Sequence, residues 1–151
     1  MTDEEKIDAL KSALPDGAWT QDPDIIEPHL SEWRDKYFGE TPLMLTPRTT
    51  EECSETVKIC AKHKIAVMPQ GGNTGLVGGN TPQGEVLISL KKMTKIRELN
   101  PTSNNMIVEA GAVLQNVLDA ADEANRKFPM TLSSQGSCTV GGVLSTNAGG
   151  N

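Results

Sequence analysis

Pro69-Gln-Gly-Gly-Asn-Thr-Gly-Leu-Val-Gly-Gly79 is the stretch on which the reading of this chain turns. It follows Ile65-Ala-Val-Met68, a short apolar run that reads as a strand. Five glycines, Gly71, Gly72, Gly75, Gly78 and Gly79, fall within nine residues. A loop so poor in side chains leaves its backbone N–H groups free to face a ligand, because glycine tolerates both positive φ and close approach. Successive N–H groups in a turn make a concave anion site. The loop is therefore expected to cradle a phosphate.

The surrounding residues narrow the kind of phosphate. A Walker-type loop needs G-x-x-x-x-G-K-[ST], and no Gly-Lys-Ser/Thr occurs in the chain. The dinucleotide fingerprint G-x-G-x-x-G is absent too; Gly72, Gly75 and Gly78 give only G-x-x-G-x-x-G. A dinucleotide loop must open a helix directly, whereas here Pro82 and Gly84 intervene before the next apolar run. A second glycine-dense stretch lies at 136–150, and with 71–84 it holds 11 of the 14 glycines. The two stretches are read as parts of one functional problem.

Working outward, Asp3 to Leu14 reads as a helix with Ile7, Leu10 and Leu14 on one face and acidic residues in the first turn. Residues 18–40 show weak periodicity and carry four of the five aromatics, Trp19, Trp33, Tyr37 and Phe38. They are taken with the first helix as a helical lead-in over 1–40. Leu43-Met-Leu-Thr46 is a strand candidate. Thr49 and Glu52 form a capping box for a helix to about Lys64, with Cys53, Val57, Cys60 and Ala61 as its apolar stripe. Further strands are expected at Val86–Leu90, Ile96–Asn100 and Met106–Ala110, and an amphipathic helix at Val113–Phe128. Alternating strands and helices argue for an α/β or α+β domain over 41–151. The ending at Gly150-Asn151, with no closing element, reads as the front part of a longer protein.

The chain has 151 residues, enough for one domain with its own core, and only 3% aromatics, so that core must be aliphatic. A net charge of −6 argues against nucleic acid or an anionic membrane surface as partner. No apolar run reaches the length of a bilayer span, so an integral membrane protein is not expected. Met1-Thr-Asp-Glu-Glu-Lys6 shows neither a signal core nor an Arg-rich transit pattern. Three cysteines, Cys53, Cys60 and Cys138, fit a reducing compartment, and a cytoplasmic location is expected. Cys53 and Cys60 would lie about 10 Å apart along one helix, too far for a disulfide. Cys138 is expected to be a small apolar filler. No Cys/His cluster has metal-ligand spacing.

Taken together, Pro69–Gly79, Gly136-Ser-Cys-Thr-Val-Gly-Gly142 and Ser145-Thr-Asn-Ala-Gly-Gly150 resemble the FAD-linked oxidase family. Its FAD domain is of the type shared by p-cresol methylhydroxylase and vanillyl-alcohol oxidase. Within it, Gln70-Gly-Gly-Asn-Thr-Gly75 is most similar to the D-2-hydroxyglutarate dehydrogenase branch. The resemblance covers roughly 41–151. It implies an α+β domain built from α/β subdomains that hold FAD, here incomplete at the C-terminus. By position, Pro69, Gly71, Gly72, Asn73, Thr74, Gly75, Gly78 and Gly79 are implied to bind the FAD pyrophosphate and nearby ribityl. Gly136, Ser137, Thr139, Gly141, Gly142, Ser145, Thr146 and Asn147 are implied to hold the remainder of the cofactor. N–H donors, small hydroxyls and an amide suit a diphosphate with a hydroxylated chain.

Some relatives in this family carry a histidine in the first loop that bonds covalently to the flavin. Asn73 stands in that region, and neither His29 nor His63 is expected near it, so noncovalent FAD is expected. The implied reaction oxidises a D-2-hydroxy acid to a 2-oxo acid and passes electrons to an electron-transfer flavoprotein or quinone. Catalytic residues would lie beyond Asn151, and the chain alone is expected to show little or no turnover. A D-lactate dehydrogenase, a glycolate oxidase subunit or a noncatalytic flavin-binding module that needs a partner chain stay open at this point. Arg34 and Arg48 are expected to be surface or ion-pair residues.

Overall fold

The computed structural model describes residues 2–150; Met1 and Asn151, which enter the readings of the two termini above, lie outside the described residues. The described residues divide into two compact units, one over 2–70 and 75–92, the other over 71–74 and 93–150.

In the first unit the sheet has the order β1-β2-β4-β3, with β1 Trp19–Thr20, β2 Met44–Leu45, β3 Val67–Gln70 and β4 Val86–Ser89. β2, β4 and β3 run parallel, and β1 joins β2 antiparallel. β4 is buried along its whole length, as a central parallel strand covered on both faces must be. Alternation explains its sequence. Val86 and Ile88 face a cluster with Leu43, Leu45, Leu10, Leu14, Ile59 and Cys60, supplied by helices α1 Asp3–Ala13 and α3 Thr50–His63. Leu87 and Met44 face the other way, onto Ile26, Leu30 and Met68. Ile26 ends the short helix α2 Pro23–Ile26, which runs into a 3₁₀ turn at Glu27–His29. The stretch with weak periodicity therefore contributes a strand and a turn to the same core.

α1 begins with a full capping box between Thr2 and Glu5. In α3 the box is half formed. Thr49 Oγ1 accepts from the Glu52 N–H at 3.1 Å, but the Glu52 carboxylate turns to the Arg48 N–H at 2.7 Å. Its buried face is Thr56, Ile59 and Cys60, and Val57 is exposed. The expected stripe through Val57 is thus corrected: the helix turns Val57 100° past Thr56, a residue passed over because it is polar. β3 extends past Met68 through Pro69 to Gln70, so the glycine loop begins one residue after the strand ends.

In the second unit, β5 Ile96–Asn100 and β6 Asn105–Val108 form an antiparallel hairpin. Its turn is held by Asn100 Oδ1, which accepts from the N–H groups of Thr102 and Ser103 at 3.1 and 3.2 Å. α4 spans Leu114–Glu123 and stops short of Phe128. Asn125 adopts φ 53°, and the Arg126 N–H returns to the Ala121 carbonyl at 2.8 Å, a Schellman ending that a run of apolar spacing does not reveal. A short helix α5, Val140–Ser145, was not expected, since two of its six residues are glycine. Leu114, Cys138 and Val143 form the core beneath it, which gives Cys138 its expected role as filler. All three cysteines are free.

Glu109 in this unit is 6% exposed. Its carboxylate accepts from the Lys95 N–H at 2.9 Å and from the Arg97 guanidinium at 3.0 Å. The Lys95 N–H lowers the carboxyl pKa, burial opposes this, and Arg97 adds to the lowering.

Two outcomes are expected. Leu87→Ala should cost about 3 kcal/mol in chemical denaturation, while Val77→Ala, at an 81% exposed position, should stay within about 0.5 kcal/mol. The native Glu109 carboxyl binds fewer protons than its unfolded counterpart. Its contribution is present above the ordinary value of 4.5 and is lost as pH falls through the lower folded value. Glu109→Gln should flatten that acid limb in a pH series of melting temperatures; an unchanged limb would remove Glu109 as its source.

Candidate functional site

The first glycine loop has a neck built by one side chain. Gln70 is 1% exposed at the end of β3, on the sheet face of Met68. Its Nε2 donates to the Asn80 carbonyl at 2.8 Å and to the His29 carbonyl at 2.9 Å. Its Oε1 lies 2.5 Å from His29 Nδ1. One carboxamide thus ties residue 70 to residue 80 and to the 3₁₀ turn. This corrects the expectation that both histidines stand away from the loop. His29 arrives because Ile26 and Leu30 on either side pack onto Met44, Leu87 and Met68. The 41-residue separation leaves no local signal of this. His63 ends α3, where a basic residue favours the helix dipole.

Burial of the His29 ring pushes its pKa below the ordinary 6.5; the Gln70 bond works against this and the Lys91 ammonium adds to it. Lys91 Nζ lies 3.2 Å from His29 Nε2. Ser89, paired with Gln70 across the two strands, and Thr81, at the loop's exit, have buried hydroxyls with no partner among the described residues.

Within the first unit, Gly75, Gly78 and Gly79 differ in what they require. A Cβ on Gly75 would meet Asn80 Oδ1 at 2.8 Å. Gly78 has φ +76°, and a Cβ there would stand 2.9 Å from the Tyr37 ring. Gly79 faces open space. Pro69 is exposed on β3. The backbone N–H groups of residues 75–79 donate to no group among the described residues, as a cradle for an anion requires. Arg34 binds the Leu76 carbonyl and lies 3.7 Å from buried Glu32, and Arg48 reaches the Gly17 carbonyl, so both have structural partners. Burial raises the Glu32 carboxyl, but the N–H groups of Arg34 and Lys36 outweigh it and hold the pKa low.

In the second unit the beginning of the first motif meets the second motif directly. A Cβ on Gly71 would stand 2.2 Å from Thr139 Oγ1, and one on Gly72 would stand 2.0 Å from the Ser137 carbonyl oxygen. Gly141 is equally confined, 2.8 Å from the Ala110 methyl, and its N–H donates to the Ala110 carbonyl at 2.8 Å. Thr139 is buried and caps α5 by accepting from the Gly142 N–H at 3.3 Å. Ser145 and Thr146 donate to the carbonyls of Gly141 and Gly142 at 2.7 and 2.9 Å. Asn147, with φ 49°, ends the helix: the Ala148 N–H returns to the Val143 carbonyl at 3.0 Å. Asn73 and Thr74 are half-buried, and Asn73 has φ 53°. Gly136 faces open space and Ser137 is exposed beside it. Among the described residues no group of His, Cys, Asp and Glu could hold a metal ion, and no helix is long and apolar enough to cross a membrane.

The FAD binding domain family matches residues 41–151, which include both motifs. The chain belongs to this family. Over 149 residues the chain is 38% identical to the mitochondrial D-2-hydroxyglutarate dehydrogenase of Arabidopsis thaliana, covering 98% of this chain and 27% of that protein. The chain thus spans about a quarter of such a relative's length. Among solved structures, alkyldihydroxyacetonephosphate synthase superposes with a TM-score of 0.86 at 19% identity, over 99% of this chain and 33% of that one. p-Cresol methylhydroxylase does so with a TM-score of 0.71 at 24% identity, over 95% and 28%. These establish the p-cresol methylhydroxylase-type fold. The expected cytoplasmic location is overturned, because this relative and others from rice and cattle are named mitochondrial. Free thiols separate reducing from oxidising surroundings and do not identify one reducing compartment.

Gly72→Ala forces a methyl against a backbone carbonyl and should lower stability by about 3 kcal/mol or more. Gly136→Ala, in open space, should stay within about 1 kcal/mol. Thermal melts of the two variants decide the matter, and equal melting temperatures would refute the close packing of the motifs.

Proposed function

We propose that this FAD-binding domain is the cofactor-holding part of a flavin-dependent D-2-hydroxy-acid dehydrogenase. The observation that carries this reading is the backbone contact of Gly71 and Gly72 with Ser137 and Thr139, which joins the two glycine motifs. The likeness to a D-2-hydroxyglutarate dehydrogenase supports the substrate class. When bound, FAD supplies the acceptor for the two electrons removed as a 2-hydroxy acid becomes a 2-oxo acid. An electron-transfer flavoprotein or a quinone is the proposed onward acceptor.

The residues divide by what the packing leaves available. In the first unit, the N–H groups of residues 75–79 are proposed to bind phosphate oxygens, with Gly79 admitting the ligand closely. In the second unit, Asn73, Thr74, Gly136 and Ser137 are proposed as cofactor contacts. Gly71, Gly72, Thr139, Gly141, Gly142 and Asn147 hold the loops in place, and Ser145 and Thr146 offer acceptor lone pairs only while their hydrogens stay on helix carbonyls. Noncovalent binding is supported by His29, whose two ring nitrogens both have partners.

The whole polypeptide encoded by the gene should reduce a dye in the presence of D-2-hydroxyglutarate, and faster than with D-lactate or glycolate. Turnover with D-lactate or glycolate alone would replace the proposed substrate. Acid precipitation should leave the yellow colour in the supernatant; colour retained by the pellet would mean a covalent flavin.

A further inference from the structure

The neck of the first loop contains a group that the proposed chemistry does not use. Gln70 reaches the Asn80 carbonyl and the His29 carbonyl through Nε2. Two carbonyl acceptors on one nitrogen fix the amide's orientation, so Oε1 must face His29 Nδ1. An amide oxygen only accepts, which places the imidazole hydrogen on Nδ1. Nε2 then carries the lone pair and accepts from Lys91 Nζ at 3.2 Å. The neutral Nδ1–H tautomer thus satisfies the Gln70 oxygen and both ring nitrogens. The groups that face the ring are Gln70 from β3 and Lys91 from the segment after β4, and no carboxylate stands within ion-pair distance among the described residues. A second proton would place an N–H against the ammonium and remove its acceptor.

We propose that His29 is a positioning residue for the cofactor, acting through Gln70 to hold the 70–80 loop closed in the geometry that binds FAD. The inference rests on the reading of that loop as a FAD-binding element. Neutral His29 seats the Gln70 amide with Lys91 on its other nitrogen; protonated His29 still donates to Gln70 but is repelled by Lys91, and the ring's displacement from the ammonium disturbs the Gln70 contacts to both ends of the loop. The lowered His29 pKa puts this change on the acid side of neutrality.

The test measures FAD dissociation constants by flavin fluorescence between pH 5 and 8.5, using the whole polypeptide encoded by the gene. FAD affinity should fall about tenfold toward the acid end. His29→Asn keeps an N–H near the Nδ1 position and removes titration. It should hold FAD within about threefold of the wild type at pH 8 and lose the acid decline. His29→Leu should bind about tenfold more weakly throughout. Lys91→Met, at an exposed position compatible with folding, should flatten the acid decline by removing the charge that the protonated ring meets. Equal binding by His29→Asn and His29→Leu, or an acid decline unchanged in Lys91→Met, would overturn the inference. Gly79→Val separates the two levels. If it weakens FAD while the His29 variants match the wild type, the positioning role fails alone; if it binds FAD normally, the reading of the loop fails and this inference with it.

Discussion

A Cβ on Gly72 would stand 2.0 Å from the carbonyl oxygen of Ser137, and one on Gly71 would stand 2.2 Å from the hydroxyl of Thr139. A side chain at Gly72 would have to move backbone and one at Gly71 would have to displace the buried Thr139 side chain, so this contact sets the arrangement of the second unit's two motifs. Much of the unit follows from it. Segment 135–141 is laced to 110–115 by four backbone hydrogen bonds: Leu114 N–H to Cys138, Gln115 N–H to Gln135, Val140 N–H to Ala112 and Gly141 N–H to Ala110. Residues 110–112 are held in turn by Glu109 and by the Gly111 N–H to the Met93 carbonyl. The carboxylate under Arg97 and the glycines of the motif are thus links of one chain of contacts.

This constraint changes what glycine signifies in such a motif. A glycine can be required because a ligand comes close or because another strand of backbone does. Gly72 and Gly141 are of the second kind, Gly71 is confined by the Thr139 side chain, and Gly78 is fixed by its positive φ beside Tyr37. Gly79, Gly136 and Gly149 combine open space with exposure. The hydroxyls of Thr139, Ser145 and Thr146 are likewise engaged by α5. A loop can be part of a cofactor site while many of its residues serve the loop's own geometry.

The sequence exposes the parts whose cause is local. The caps at Thr49 and Thr139 differ in this respect. Thr49 precedes a clear amphipathic run, so its helix is legible, while Thr139 opens a helix whose Gly141 and Gly142 argue against it on propensity. α5 forms because Thr139 caps it and Val143 is buried with Cys138, the residue before the cap, and with Leu114, which is distant in sequence. Leu43–Thr46 is legible as a strand, but that one of its faces receives Ile26 and Leu30 is not. The family resemblance carried the cofactor, because paired glycine motifs are long enough to be specific. It could not separate scaffold from contact, since that depends on distances.

His29 shows the same limit at one residue and explains why the neck takes the form it has. A loop of bare backbone gains little from its own side chains, so conformational entropy favours many open shapes. Closing it takes contacts at its base. Gln70 is suited to this because a carboxamide can donate to two carbonyls and still accept one hydrogen bond. Glutamate in its place would bring a charge into a site 1% exposed and offer no donor to Asn80. The accepting side of Gln70 needs a donor, and an imidazole with its hydrogen on Nδ1 provides one while leaving Nε2 for Lys91. Neutral histidine is thus favoured at the base of a loop whose proposed ligand is an anion, and the charge that binds that ligand comes from backbone dipoles in a protein whose net charge is −6.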